Sequence, residues 1–208
     1  MSAPVIKLHG FPLSGHSHRI ELFLSLLSLP FENIRIDLPA RAHKTPTFLA
    51  MNPFGQVPVL EDGNIVLADS NAILVYLASK YAGDSWLPRD PLGAARVQRW
   101  LSVAAGPLAF GAAAARLIAL FKAPFNPEEV TARAHGLFGV VESELAATPF
   151  ITGAAPTIAD VALYSYTAHA PEGGVSLDAY PNIRNWIARI EALPGFVPMV
   201  RSPAPAMS

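Results

Sequence analysis

The 208-residue chain contains no cysteine. That absence removes disulfides, thiolate metal sites and any protein-borne cysteine nucleophile. Charge is also scarce: Asp, Glu, Lys and Arg make up 15%, against about 25% in an average domain. Neither sign dominates, since 15 basic and 16 acidic residues leave a formal charge of −1. A balance so near zero argues against nucleic acid or an anionic membrane as a partner held by bulk electrostatics. The opening Met1-Ser2-Ala3-Pro4 lacks the basic-then-apolar pattern of a signal peptide, and with the missing cysteine this fits a cytoplasmic protein. The longest uncharged stretch, 100–115, is short for a membrane span and is broken by Gly106-Pro107. It reads as a buried, alanine-rich helix. No HExxH, phosphate-binding loop, GxGxxG or GxSxG motif is present. His16 and His18, two apart, would face different ways on a helix, so no metal site is expected.

What remains is apolar: 51% of residues are hydrophobic, and there are 20 prolines. Such a chain folds around a full core, as one large domain or two small ones. The patterning favours two. In the first part, Val5 to Leu8 reads as a strand broken by His9-Gly10-Phe11-Pro12. A helix follows, with Ile20, Phe23, Leu24 and Leu27 on one face, and Phe31 to Leu38 is a second strand. A strand–helix–strand unit of this length implies a parallel pair. Val57–Leu60 and Ile65–Leu67 flank Asp62-Gly63, a hairpin signal. A helix over 70–81 closes the unit. After a linker at 82–88 the strand signals stop. Asp90-Pro91, Asn126-Pro127, Thr157-Ile158-Ala159-Asp160 and Pro181 each open a helix. The first of these runs to about Phe121 with a bend at Gly106-Pro107. The fold class is therefore α/β plus all-α: an α/β domain over 1–81 and an all-helical domain over 89–208. The tail from Arg201 to Ser208 reads as loose.

Three segments can carry chemistry. The loop Gly10 to Arg19 joins a strand to a helix N-terminus, where free N–H groups favour an anion. Ser14 or Ser17 there serves as a cap or as a hydroxyl donor to that anion. In Asn52-Pro53-Phe54-Gly55-Gln56-Val57-Pro58-Val59-Leu60, Pro58 sits within an apparent strand. Composition alone favours an ordinary trans edge proline. A cis bond would leave the Val57 backbone free to pair with a peptide-like ligand. Asp69 and Ser70 open the next helix. Either can be a plain cap, but together they also suit an α-amino-acid head group: Asp69 for the ammonium, Ser70 and the helix end for the carboxylate.

In this order and spacing, Ser14-Gly15-His16-Ser17-His18-Arg19-Ile20, His43-Lys44-Thr45-Pro46, the 52–60 segment, Asp69-Ser70 and Thr157-Ile158-Ala159-Asp160 resemble the cytosolic glutathione S-transferases over nearly the whole chain. The likeness is to the serine-type classes (phi, theta, zeta), and most of all to phi and related bacterial enzymes. It implies a thioredoxin-like N-terminal domain, an all-helical C-terminal domain and a cytoplasmic homodimer with glutathione as co-substrate. Ser14 matches the serine that activates the glutathione thiol. His43 and Lys44 match contacts to the glycine carboxylate, and Gln56, Asp69 and Ser70 match contacts to the γ-glutamyl head. Val57 matches the residue whose main chain pairs with the cysteinyl part. Pro58 matches the family's cis-proline, against the reading from composition. Phe11, Leu13 and Phe110 are expected to face an apolar electrophile. The tyrosine of the alpha, mu and pi classes is absent from the loop, and Ser14 replaces the cysteine of the omega and beta classes. The expected activity is conjugation of glutathione to electrophiles. The alternatives are a glutathione-dependent peroxidase or disulfide reductase at the same site, and a non-catalytic interaction module of the same fold. Retention of Ser14, Lys44, Gln56, Asp69 and Ser70 together favours an enzyme.

Overall fold

The computed structural model describes residues 6–202. A four-stranded sheet has the order β2-β1-β3-β4. Strand β1 (Ile6–Gly10) pairs in parallel with β2 (Phe31–Arg35) and antiparallel with β3 (Val59–Asp62), which pairs antiparallel with β4 (Ile65–Ala68). Val5, expected to open β1, lies outside the described residues. At its other end β1 runs on through His9, which pairs with both Ile34 and Val59, and Gly10, which pairs with Arg35. Helix α1 (Gly15–Leu26) makes the crossover between the parallel strands and buries Ile20, Phe23 and Leu24. The short helix α2 (Pro46–Met51) precedes β3. In the hairpin Asp62 still pairs with Ile65, so Gly63, at φ 63°, and Asn64 form the turn. Helix α3 (Ser70–Leu77) continues into a π-helical turn at Ala78–Ala82.

The second half is helical. Helices α4 (Pro91–Val103) and α5 (Ala114–Phe121) are joined without a break by a π-helical stretch, Ala104–Ala113, around Pro107. Proline lacks the N–H that an α-turn needs, so the expected bend takes the form of a wider turn. By length and composition this 31-residue rod could cross a membrane. Here Val97, Trp100, Leu101, Ala104, Leu108 and Ala112 are buried in the core instead. Helix α6 (Pro127–Leu145) is capped by Asn126, whose Oδ1 accepts the Glu128 and Glu129 N–H groups. Helix α7 (Ile158–Ala168) is buried on nearly every side, and α8 (Pro181–Glu191) lays Ile183, Trp186 and Ile190 on the core. Asp160 ties this half together. Its carboxylate completes the capping box with the Thr157 N–H at 2.8 Å, and it also accepts the Ile151 N–H at 2.8 Å and the Trp186 indole N–H at 2.9 Å.

The halves meet where α1 packs on α7. His18, 2% exposed, accepts from the Ser165 hydroxyl and donates its other ring N–H to the Val197 carbonyl, both at 2.9 Å. A carbonyl can only accept, and this fixes the neutral tautomer. Trp86, in the connecting segment, meets Phe23 edge-on at 5.2 Å, and its carbonyl accepts the Ile158 N–H at 3.0 Å. The segment is thus pinned into the junction. Of the tail expected to be loose, 203–208 lies outside the described residues, while the Ser202 hydroxyl donates to Glu172.

Two stability effects are expected. Asp160→Ala leaves three buried N–H donors without an acceptor and should cost about 3 kcal/mol or more, read as a fall in the urea midpoint. A loss under 1 kcal/mol contradicts this account. Burial pushes His18 down from 6.5 to about 4, against its bond to Val197 and with help from His169. Between those values the unfolded chain binds a proton that the folded chain refuses. Stability is therefore complete above pH 6.5, falls with pH, and levels off below about 4. His18 alone should remove about 2 kcal/mol between pH 7 and pH 5. Urea unfolding at both pH values should show a smaller pH dependence in His18→Gln than in the parent; an equal dependence removes His18 as the cause.

Candidate active site

A cleft of about 840 Å³ opens between the two halves. Its floor is built from three places where the backbone presents free polar groups: the first turn of α1, the loop before β3 and the first turn of α3. Ser14 is the N-cap of α1. Its extended φ of −89° and ψ of 115° turn the Oγ back to accept the Ser17 N–H at 3.2 Å. A turn closed by the Ser14 N–H and the Phe11 carbonyl at 2.9 Å holds it there, and Arg116 on α5 grips the neighbouring Leu13 carbonyl at 2.6 Å. Ser14 lines the cleft. Ser17 does not: it is 4% exposed, and its hydroxyl accepts the Phe11 N–H at 3.1 Å on the inner side of the loop.

Below this turn lies Arg19, fully buried. Its guanidinium donates to Ser70 Oγ and Asn71 Oδ1, each at 2.8 Å, and to the Ala162 carbonyl at 2.5 Å, while its Nε has no partner. Burial lowers its pKa from 12.5 to about 10, so it stays charged at neutral pH. Ser70 accepts from Arg19, so its own proton is free for His16 Nδ1 at 3.2 Å. Burial, with the charge of Arg19, pushes His16 down from 6.5 to about 3. The ring is therefore neutral and unable to hold a proton as a general base near pH 7.

Asp69 caps α3, its Oδ1 accepting the Asn71 and Ala72 N–H groups at 2.9 Å each. Its φ of 71° lies in a region that a side chain other than glycine's rarely adopts, and the residue is exposed at the cleft. Across the floor, Val57–Pro58 is a cis peptide bond, as the resemblance implied and composition did not. Gln56 and Val57 line the cleft beside it. Lys44 Nζ donates to the Phe54 and Gly55 carbonyls at 3.2 and 3.0 Å, and His43 Nδ1 is buried without a partner. Gly55, at φ 59°, has no room for a side chain: a Cβ would stand 2.9 Å from the His43 carbonyl oxygen.

The opposite wall comes from the helical half, where Ala105, Ala109, Ala113 and Leu117 recur every four residues along one stripe. Phe11 and Leu13 face them from the loop. Phe110 does not join them, which corrects the expectation for this residue. It sits one residue past Ala109 on the helical rod and points outward, 52% exposed. Sequence reasoning missed Arg116, Asn71 and Tyr166, and gave Arg19 no role beyond the motif. Tyr166 reaches the cleft from α7. Its one local sign was Gly15, where a Cβ would lie 2.8 Å from the Tyr166 ring. Among the described residues no three His, Asp or Glu side chains gather as metal ligands.

The comparisons agree with this geometry. The family model described as glutathione S-transferase, N-terminal domain, matches residues 4–79, and that for the C-terminal domain matches 94–189. Glutathione S-transferase 3 of Zea mays is 36% identical over 203 residues, covering 92% of this chain and 91% of its own. A solved glutathione S-transferase from Pseudomonas fluorescens superposes with a TM-score of 0.88 at 36% identity, covering 95% and 100% of the two chains. A glutathione transferase homologue from Drosophila mojavensis, solved with bound glutathione, gives 0.83 at 30% identity, covering 91% and 89%. A thioredoxin-like half with its mixed sheet, a helical half and the cleft between them thus come together in one assignment: the chain belongs to the glutathione S-transferase family, as a glutathione transferase.

Proposed function

We propose that the protein conjugates the glutathione thiolate to apolar electrophiles, with the Ser14 hydroxyl holding the thiolate. The observation that carries this reading is the division of the two serines: Ser14 faces the cleft at the mouth of α1, and Ser17 is turned inward and occupied by the Phe11 N–H. Asp69 takes the γ-glutamyl ammonium, and Ser70, Gln56 and the α3 N-terminus take its carboxylate, with Arg19 behind them. The Val57 main chain pairs with the cysteinyl unit next to Pro58. Lys44 and His43 take the glycine carboxylate. The electrophile lies between Phe11, Leu13 and the alanine stripe. A new S–C bond forms as the leaving group departs with its electron pair.

The magnitudes suffice. A free thiol of pKa about 8.5 is roughly 3% ionised at pH 7. Lowering the pKa by about two units needs about 2.7 kcal/mol. A hydroxyl donor to a desolvated anion supplies about 1.5–3 kcal/mol, and a helix N-terminus about 0.3–1 more. With His16 held neutral, the thiol proton passes to solvent. A homodimer and a cytoplasmic location belong to the same reading. Phe54 is 80% exposed, an amount of apolar surface that a second copy could cover.

Turnover of an aryl halide with glutathione tests the assignment, with peroxides and mixed disulfides assayed beside it. Turnover confined to peroxides or disulfides replaces conjugation with reduction at the same site, and glutathione binding without any turnover favours the interaction module. Ser14→Ala should lower kcat/KM at pH 6.5 by about 10- to 100-fold and move the profile to higher pH, with glutathione affinity within about threefold. Ser17→Ala should leave the profile in place; the reverse pattern assigns the sulfur to Ser17. Asp69→Asn should raise KM for glutathione about tenfold while sparing kcat at saturation; an unchanged KM removes Asp69 from the site.

A further inference from the structure

The turn that presents Ser14 is held from outside its own half of the chain. The Leu13 carbonyl and the Ser14 N–H belong to one planar peptide unit. Its N–H end donates to the Phe11 carbonyl at 2.9 Å, and its carbonyl end accepts from Arg116 Nη1 at 2.6 Å. A plane held at both ends resists rocking, so the Ser14 side chain leaves the backbone in a fixed direction. Its Oγ then accepts the Ser17 N–H at 3.2 Å.

Arg116 is itself locked in place. It is 2% exposed, and its Nε donates to Glu172 Oε2 at 2.7 Å. Glu172 Oε1 accepts from His169 Nδ1 at 2.6 Å, and the Ser202 hydroxyl donates to Oε2. Against burial, the bonds from Ser202, Arg116 and His169 hold the Glu172 carboxyl below its usual range, so it stays ionised opposite the guanidinium. Glu172 can lie this close because Gly173 follows it: a Cβ there would stand 2.5 Å from the Arg116 backbone nitrogen. Two nitrogens of one rigid fork thus join the turn at Ala170–Gly173 to the loop at Leu13. The third, Nη2, is buried without a partner among the described residues. The placement serves the two bonds and leaves a donor unmet, which costs stability.

We propose that Arg116, locked by Glu172, is a positioning residue for the transfer reaction: it fixes the Leu13–Ser14 peptide and with it the direction of the Ser14 hydroxyl toward the glutathione sulfur. The inference rests on the reading of Ser14 given above. The role is geometric. Glu172 balances the charge of Arg116 at 2.7 Å, so a direct pull of that charge on the thiolate is the competing account.

Double-mutant cycles in the full-length protein separate the two. The pKa of bound glutathione is read from the ultraviolet absorbance of its thiolate, glutathione affinity is read by calorimetry, and the folded state is checked by thermal unfolding. Arg116→Lys keeps the charge and loses the fork. Arg116→Met combined with Glu172→Gln removes both buried charges, and it carries the test should the single change fail to fold. Each should raise the bound thiol pKa by about half to one unit, a three- to tenfold loss of thiolate at low pH, with affinity within about threefold. In a Ser14→Ala background neither should produce a further shift. A lower melting temperature with the pKa in place makes Arg116 a structural residue only and overturns the proposal. A shift in the charge-free pair but none in Arg116→Lys assigns the effect to charge, and an equal shift with and without Ser14 makes Arg116 independent of the serine; either also overturns it. If Ser14→Ala alone leaves the pKa in place, the serine reading itself fails and this inference falls with it.

Discussion

A fully buried guanidinium with no carboxylate in ion-pair contact sits where two helix N-termini meet. Taking such a charge out of water costs several kcal/mol, and three hydrogen bonds offset only part of that. Arg19 spans the junction. It belongs to α1, it donates to Ser70 and Asn71 in the first turn of α3, and it reaches the Ala162 carbonyl on α7. Three sources of positive potential therefore converge on one end of the cleft: two helix ends and a cation. The Asp69 carboxylate offsets part of that charge through space, and under the proposed reading a bound anion would offset more. A ligand carrying a carboxylate near Ser70 and a nascent thiolate near Ser14 would gain from all three.

The proposed activation asks for no general base. His16 stands beside the reacting turn but is pushed to about 3, and His18 is pushed to about 4 and spent on the join between the halves. Neither can take up a thiol proton near neutrality. Under the proposed reading activation is thermodynamic: the anion is stabilised, and the proton leaves through an open cleft. One hydroxyl and one helix end meet the required energy only if the hydroxyl's proton is not diverted elsewhere. That places weight on what surrounds Ser14 rather than on Ser14 alone.

The features legible in the sequence are those set by local chemistry. Asp90, Asn126 and Thr157 were readable as helix starts because a cap bonds N–H groups two or three residues away. The hairpin was readable because Gly63 supplies a positive φ. That Asp69 and Ser70 open a helix was readable in the same way, since Asp69 caps it with bonds to the Asn71 and Ala72 N–H groups. The features missed depend on rotation or distance. Which of Ser14 and Ser17 faces the ligand turns on the phase of a single helical turn. Phe110 turns on helical phase as well: it stands one residue past Ala109, outside the stripe that lines the cleft. Pro58 is the instructive middle case. Composition argued for trans, and only the likeness of the whole 52–60 segment argued for the cis bond that is found.

Arg116 and Tyr166 lay beyond any local reading, since they meet Leu13 and Gly15 across about a hundred and about a hundred and fifty residues of chain. Their placement changes what counts as the site. The β-rich half carries most of the polar groups that line the cleft, but its loop at Leu13–Gly15 is gripped by an arginine from α5 and underlain by a tyrosine from α7. Gly15 makes the dependence reciprocal, because a side chain there would expel the ring that supports the turn. An alcohol is a weaker and less directed donor than a charged group, so a site built on one must control where that alcohol's single proton points. In this fold the loop that carries Ser14 is held by Arg116 and backed by the Tyr166 ring, both from the helical half.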